Sequence, residues 1–312
     1  MIRVFLPLLG YALASIEYFL LPNVRENAFP ERYFIVLTAG IVAYSAFALF
    51  SFLRKDKGLR LFNRLSYRAP IFCAVYVFLA LFDVLTLKTG RLTYPFIPWF
   101  NDIINSAVAD WPMLLKSTLF SLRLLLVSYV VGALAGVATG VVAGYSKSVR
   151  YWIEPVLNVL GPIPPATWIP LSMILAKTLF SGSVFIIALG VWYNVSLSTL
   201  IGVMNVKKEH LDSARILGAS ELQIVFRVVI PSSLPSIFQG LSSGMTSACI
   251  TLIIAEMIGV EAGLGWYIEW AKAWAMFNRM YVAIITICVL FNLVNFTLKK
   301  CKKHFLRWEN GN

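Results

Sequence analysis

The fold class this sequence predicts is an all-α integral membrane protein of about eight transmembrane helices, with both termini on the cytoplasmic side. Three observations predict it. Of 312 residues, 59% are hydrophobic and 13% charged, with a mean hydropathy of +0.77, whereas a soluble globular domain carries roughly 25% charged residues. The apolar residues fall in blocks of about 20, the length of a membrane-crossing helix and too long for the roughly 10-residue alternating strands of a barrel. The Lys and Arg residues cluster in the joints between blocks, where they set orientation.

In chain order the candidate spans lie near 2–21, 33–53, 70–88, 117–145, 157–180, 183–205, 236–259 and 278–298. The first, MIRVFLPLLGYALAS, has the Arg, apolar run and small-residue end of a signal peptide, but the run continues to Leu21, so it is read as a retained span. The joint 54–69 holds Arg54, Lys55, Lys57, Arg60, Arg64 and Arg68 against Asp56, and the tail from Lys299 is equally basic. The positive-inside rule places both in the cytoplasm. Counting from these anchors puts 22–32 and 89–116 outside and 146–156 and 206–235 inside, and the two anchors agree on one topology. The segment 89–116 is amphipathic and aromatic, with Trp99 and Trp111 placed as interfacial anchors would be, and reads as a helix on the outer leaflet.

Composition also excludes several functions. A net charge of +12 would suggest nucleic acid in a soluble protein, but charges confined to the joints of a membrane protein give no such footprint. Cys73, Cys249, Cys288 and Cys301 lack metal-ligand spacing, and His210 and His304 lie in charged joints. No paired carboxylates, His cluster or nucleophile-base pair marks the spans, so neither a catalytic residue nor a metal site is expected.

The fourth block carries Gly132, Gly136, Gly140 and Gly144 four residues apart. Such spacing makes a groove on one helix face along which a neighbour can approach closely, a packing signal. At the start of the fifth block, GPIPPATWIP places Pro162, Pro164, Pro165 and Pro170 within ten residues. A regular helix cannot pass through 161–165, and the break lies either at the cytoplasmic interface or beside a translocation path, where non-helical backbone is tolerated. Uncharged polar residues of the later spans, Asn194, Ser243, Thr246 and Ser247, serve helix packing or a substrate pathway. Glu256 is the only acid in the seventh block, and an intramembrane carboxylate is a functional candidate by default; its place near the block's end fits an interfacial role equally.

The best-defined segment is 206–235. VKKEHLDSARIL reads as a short helix with Leu211, Ala214 and Ile216 or Leu217 toward the protein, ending at Gly218, a residue suited to the left-handed position after a helix. Ser220 with Gln223 forms a capping box for a second helix, which Pro231 is expected to stop, with Pro235 just before the next span. The loop is longer than the 2–8 residues that usually join packed helices, and it reads as a docking element for a soluble partner.

At this point the residues carry a family resemblance. Asp212-Ser213-Ala214, three residues, Gly218, nine residues, then Val228-Val229-Ile230-Pro231 resembles the cytoplasmic signature of binding-protein-dependent ABC importer permeases: Glu-Ala-Ala, three residues, Gly, nine residues, Ile, any residue, Leu-Pro. GPIPPATWIPL, GASELQIVFRVVIPSSLPSI and IIAEMIGVEAGLGWYI are similar to stretches of the nitrate/sulfonate/taurine subfamily, and the resemblance covers roughly 95–300. Two departures stand out: members usually have about six spans, so 1–69 looks like an N-terminal addition of two helices to a transport domain at 70–312. Trp192-Tyr193-Asn194 also replaces a Phe-Phe-Pro-like run.

The resemblance implies a type I importer fold in a bacterial plasma (inner) membrane, with a second permease copy, two cytoplasmic ATPase subunits, an extracytoplasmic substrate-binding protein and surrounding membrane lipid as partners. ATP and Mg belong to the partner subunit, since this chain has no phosphate loop, and the chain itself binds no cofactor. The implied coupling residues are Glu209, Asp212, Ser213, Ala214, Arg215, Gly218, Ala219 and Pro231. Pathway candidates are Asn194, Ser243, Thr246, Ser247 and Glu256, with Pro162, Pro164 and Pro165 as a gate or helix break. The implied substrate is a small anion or sulfonate such as nitrate, taurine or an alkanesulfonate, with a vitamin or its precursor as the alternative and a stand-alone secondary transporter as the alternative class.

Overall fold

The computed structural model describes residues 2–53 and 58–306. Arg54, Lys55, Asp56, Lys57, the side chain of Arg60 and the tail beyond Leu306 therefore lie outside the described residues. The chain divides into two compact units, Met1–Trp111 with Ala271–Val282 and Pro112–Trp270 with Ala283–Asn312.

The first unit contains α1 (Leu6–Leu20), α2 (Glu31–Leu53), α3 (Gly58–Asp83) and α4 (Phe100–Ala109). α1 packs along α3, and α2 packs against both, around Leu37, Ile41, Tyr44, Leu65 and Tyr76. α3 begins twelve residues before the predicted span at 70, so three quarters of the expected polar joint 54–69 is helical. A π turn, Val84–Lys88, carries it on.

The outer segment 89–116 differs from expectation. Only α4 is helical before Trp111, and it docks on the start of α2 instead of lying free on a leaflet. Buried Asn101 fixes it: its Oδ1 accepts from the Tyr33 N–H at 3.1 Å, and its Nδ2 donates to Asn27 Oδ1 and Ala28 O, both at 2.7 Å. Arg32 donates to Asn105 Oδ1 at 3.0 Å. Trp99 is buried and donates to Asn27, so it is a packing residue and not the expected interfacial anchor, whereas Trp111 is exposed. Polar residues that looked suited to water are used to join two helices.

The second unit holds α5 (Trp111–Tyr145, of which Trp111 belongs to the first unit), α6 (Lys147–Leu160), a 3-10 turn at Pro165–Trp168, α7 (Ile169–Leu175), α8 (Leu179–Met204), α9 (Lys208–Ile216), α10 (Glu221–Ile224) and α11 (Ile230–Gly259). α12 (Leu264–Ala273) and α13 (Phe277–Phe305) have residues in both units. Seven helices among the described residues are long and apolar enough to cross a membrane. They match every expected block except the fifth. There, Pro162, Pro164 and Pro165 remove backbone donors and break the helix, leaving the shorter apolar piece Pro165–Leu175.

α8 is the centre of this unit, packed along both α11 and α5. The predicted glycine groove is where α5 meets it. A Cβ on Gly140 would lie 2.5 Å from Thr199 Cβ and 2.7 Å from Ser196 O, and one on Gly132 2.5 Å from Ala188 O. The backbones approach too closely for any side chain, which is the small-residue packing of membrane helices. Thr139 Oγ1 and Ser196 Oγ hydrogen-bond across the same contact at 2.7 Å, and Trp192 donates to Thr139 at 3.0 Å.

Candidate functional site: a capped corner and a proline-lined cavity

The segment 206–235 folds into a corner whose parts are all local. α9 ends in a Schellman motif: the Gly218 N–H donates to Arg215 O at 2.9 Å and the Ala219 N–H to Ala214 O at 3.0 Å, with Gly218 at φ +77°. Those two bonds define the motif, and glycine takes the left-handed position without a Cβ penalty. One residue on, Ser220 opens the predicted capping box: its N–H donates to Gln223 Oε1 at 2.9 Å, and its hydroxyl accepts from the Gln223 N–H at 3.4 Å. α9 and α10 thus meet through two interlocked caps with no slack between them.

Packing seats the corner on the spans. Leu211, Ala214 and Ala219 rest against Val141, Val203, Ile224 and Val229. Ile216 and Leu217 do the opposite of what was expected: both are 86% exposed, because the C-terminal turn of α9 rotates them away from Leu211. Arg215 pairs with Asp212 at 3.5 Å and with Glu221 at 3.4 Å, and the Tyr145 hydroxyl donates to the other oxygen of Glu221. Ser213 donates to Glu209 O at 2.7 Å, and Glu209 itself is exposed. Pro231 borders a cleft of about 500 Å³ beside Lys207 and His210.

Pro231 does not stop the second helix. α10, a π turn at Val225–Val229 and α11 form one continuous helical segment, and Glu221–Ile258 is a single candidate span. The wide turn absorbs the missing donor: the Ile230 N–H bonds back to Val225 O, so the ladder is already displaced where proline arrives. Pro235 lies inside the same helix.

Three distant motifs converge on a second feature. A cavity of about 340 Å³ is lined by Pro162, Pro164 and Pro165 from the helix break, Tyr193 and Asn194 from α8, and Ser247 from α11, among others. A Cβ on Gly190 would sit 2.9 Å from both Pro165 Cγ and Ser247 Oγ, so that glycine is what lets the break and α11 close on α8. Asn194 spends its amide on Gly190 O at 2.8 Å, leaving Oδ1 as an acceptor. No charged residue lines the cavity among the described residues; its chemistry is hydroxyl, amide and apolar ring.

Ser243 and Thr246 do not join this cavity; their hydroxyls donate to carbonyls of their own helix, Gly240 O at 3.1 Å and Ser242 O at 3.3 Å. Glu256 is 1% exposed and sits in a closed cradle elsewhere. Ser121 donates to its Oε1 and Oε2 at 2.7 and 2.9 Å, and the Gly265 N–H donates to Oε2 at 2.9 Å, while Ser121 Oγ accepts the Leu264 N–H at 2.9 Å. The acid therefore caps the N-terminus of α12, where a carboxylate is stabilised by the orphan donors and the helix dipole.

Sequence reasoning missed a charged group in the first unit. Glu17 of α1 and Lys88 after α3 form an ion pair at 3.7 Å, and Glu17, Lys88 and Asp83 are 7%, 8% and 1% exposed. Lys88 also donates to Leu21 O at 2.8 Å and Tyr18 O at 3.4 Å, capping the carbonyl end of α1. Each charge lies near the end of its block, so each reads as a boundary marker; the only available signal was that both acids lie within apolar stretches.

Comparison with known proteins follows the same segments. The family model described as binding-protein-dependent transport system inner membrane component matches residues 128–300. The nitrate import permease NrtB of Leptolyngbya laminosa is 28% identical over 114 residues, 36% of this chain and 41% of the relative. The taurine transport system permease TauC of Escherichia coli K12 is 26% identical over 185 residues, 55% of this chain and 67% of the relative. The chain thus spans under half the length of the nitrate relative. Among solved structures, the inward-facing MetNI methionine ABC transporter superimposes with a TM-score of 0.55 at 16% identity, covering 63% of this chain and 98% of that one. An amino acid ABC transporter with histidines gives 0.52 at 19%, covering 65% and 97%.

Proposed function

Because this chain belongs to the family of inner membrane components of binding-protein-dependent transport systems, a multi-pass membrane protein with an importer permease fold, we propose that it is the permease subunit of an ATP-driven importer for a small anion or sulfonate. The observation that carries the reading is the corner at Gly218: a helix with no buried residue presents Ile216 and Leu217 to solvent at the end of a doubly capped turn. An apolar pair so exposed on a polar loop is suited to a partner surface. That partner is a cytoplasmic ATPase subunit, present in two copies, which holds ATP and Mg; a second permease copy and an extracytoplasmic binding protein complete the assembly. Residues 1–69 are an addition to the transport domain 70–312, whose loop 206–235 is the coupling element.

In this mechanism ATPase closure pushes on α9, and the corner passes the push to α8 and α11, the helices that meet at the cavity. Pro162, Pro164 and Pro165 provide the break at which α7 shifts against Asn194 and Ser247. A cavity lined by hydroxyl and amide groups lets a small polar solute pass by hydrogen bonds, without a fixed countercharge to trap it. Nitrate and taurine are the substrates to test first, on the names of the relatives.

The experiment replaces Gly218 with Val. A β-branched residue at φ +77° is strained by about 1–2 kcal/mol, yet nothing lies within 4 Å of the added Cβ, so only the corner is disturbed. Gly218→Val is expected to insert normally and still co-purify with the ATPase subunit, while ATP hydrolysis no longer drives uptake into proteoliposomes. Wild-type uptake per ATP by this variant would overturn the coupling role.

A further inference from the structure

The first unit holds a groove that the transport reading does not use. It has a volume of about 660 Å³ and runs between α2 and α3, both candidate membrane spans. Its walls are apolar, from Val36 and Gly40 to Phe47 on one side and from Leu65 to Leu79 on the other. The polar groups of its floor are satisfied internally: Tyr76 donates its hydroxyl to Leu37 O and Tyr44 to Val4 O, each at 3.1 Å. A side chain at Gly40 would collide with the Tyr76 hydroxyl.

The exception is one end. Arg64 and Arg68 line the groove one helical turn apart on the same face of α3, and both are exposed. Neither has a hydrogen-bond or ion-pair partner among the described residues. The positive-inside rule puts that end at the cytoplasmic boundary of the membrane. From Arg64 to Leu79 the groove follows α3 for about 22 Å at 1.5 Å per residue, somewhat more than the roughly 15 Å that one leaflet contributes to a 30 Å hydrocarbon core.

We propose that this groove is a binding site for one anionic phospholipid of the cytoplasmic leaflet, its phosphate between Arg64 and Arg68 and an acyl chain laid against Tyr44 and Tyr76. Two guanidiniums at the headgroup level, neither paired among the described residues, match a phosphate. A slot of apolar walls as deep as a leaflet matches an acyl chain, which a free anion would leave empty. A second protein helix would fill the slot but meet both arginines only if it carried acids at the headgroup level.

The test uses the purified full chain, stripped of lipid by detergent washing and titrated with mixed micelles of phosphatidylglycerol or phosphatidylcholine bearing identical acyl chains. Native mass spectrometry counts the adducts. The wild type is expected to take one phosphatidylglycerol about 25-fold more readily than phosphatidylcholine, about fivefold for each arginine. Arg64→Gln and Arg68→Gln should each lower the preference about fivefold, so the test stands even if one of the two variants does not fold. Ala43→Trp, which fills the exposed slot and leaves both charges, should remove the adduct; a free-anion site would survive it. Equal uptake of the two lipids by the wild type, or an unchanged preference in the arginine variants, would overturn the proposal.

Discussion

Ser121→Ala separates a structural from a transport role for Glu256. The hydroxyl makes the hydrogen bond to the buried carboxylate at 2.7 Å and accepts the Leu264 N–H at 2.9 Å. Losing a hydrogen bond to a charged group costs about 1.5–3 kcal/mol, and orphaning a buried N–H about 1–3 kcal/mol. Because the two share one oxygen they do not add fully, and a loss of about 3 kcal/mol is expected. Glu256→Ala removes the same bond, orphans the Gly265 N–H and leaves a void, so it should lose about 4–5 kcal/mol. Reversible unfolding in mixed detergent and SDS micelles, followed by tryptophan fluorescence, measures both. Uptake should fall only in proportion to the folded fraction in each variant. If Ser121→Ala unfolds within about 0.5 kcal/mol of the wild type, surface-like behaviour, the cradle is not what holds α12. If Glu256→Gln instead abolishes uptake in fully folded protein, the carboxylate acts on the solute and the capping argument fails.

Two further outcomes follow from the packing. Gly140→Leu drives a Cβ against Thr199 and Ser196 and should cost about 1–3 kcal/mol as overpacking, whereas Ala135→Leu on the exposed face of α5 should be neutral; detergent melting of the two compares them directly. Lys88→Met leaves Glu17 and Asp83 buried without their cation and should destabilise the first unit by about 3–5 kcal/mol, read as earlier protease cleavage in α1, and Glu17→Gln in the same background should recover most of the loss.

How much of this was legible in the sequence depends on the range of the interaction. The corner was readable because every part of it is local: Gly218 follows the last turn of α9, and Ser220 and Gln223 are three residues apart. Pro231 misled because proline is read as a stop, while a π turn five residues long can displace the hydrogen-bond ladder before the proline arrives. The Glu17–Lys88 pair was invisible, since it joins residues 71 apart in sequence, each unremarkable at the edge of its block. Trp99 failed for a related reason: an aromatic at a boundary is an anchor in lipid but a core residue once α4 docks on α2. The cavity lay in between. Its prolines, Asn194 and Ser247 were each singled out, but nothing local says that three separate motifs face one space.

That convergence also bears on how the corner can act at a distance. From Asn194 to Lys208, where α9 begins, is about 21 Å of chain at helical rise, and from Pro231 to Ser247 about 24 Å. In the proposed mechanism the push reaches the cavity only if α8 and α11 move as stiff rods, since a helix that bends absorbs displacement at its weakest turn. α8 is braced over this stretch by two helices: Gly140 and Gly144 of α5 lie on Thr199 and Val203, and Gly240 of α11 lies on Ser198 and Val195. Glycine contacts of this kind fix spacing at backbone distance and leave no side chain to reorient, so in the proposed mechanism an axial displacement at residue 204 would carry through to residue 194. In the proposed mechanism the yielding point is instead the proline break at 161–165, which packs on Gly190 beside the cavity. The proposed mechanism therefore gives transmission to the glycine-lined helices and yielding to the prolines, with the space between them as the one that changes shape.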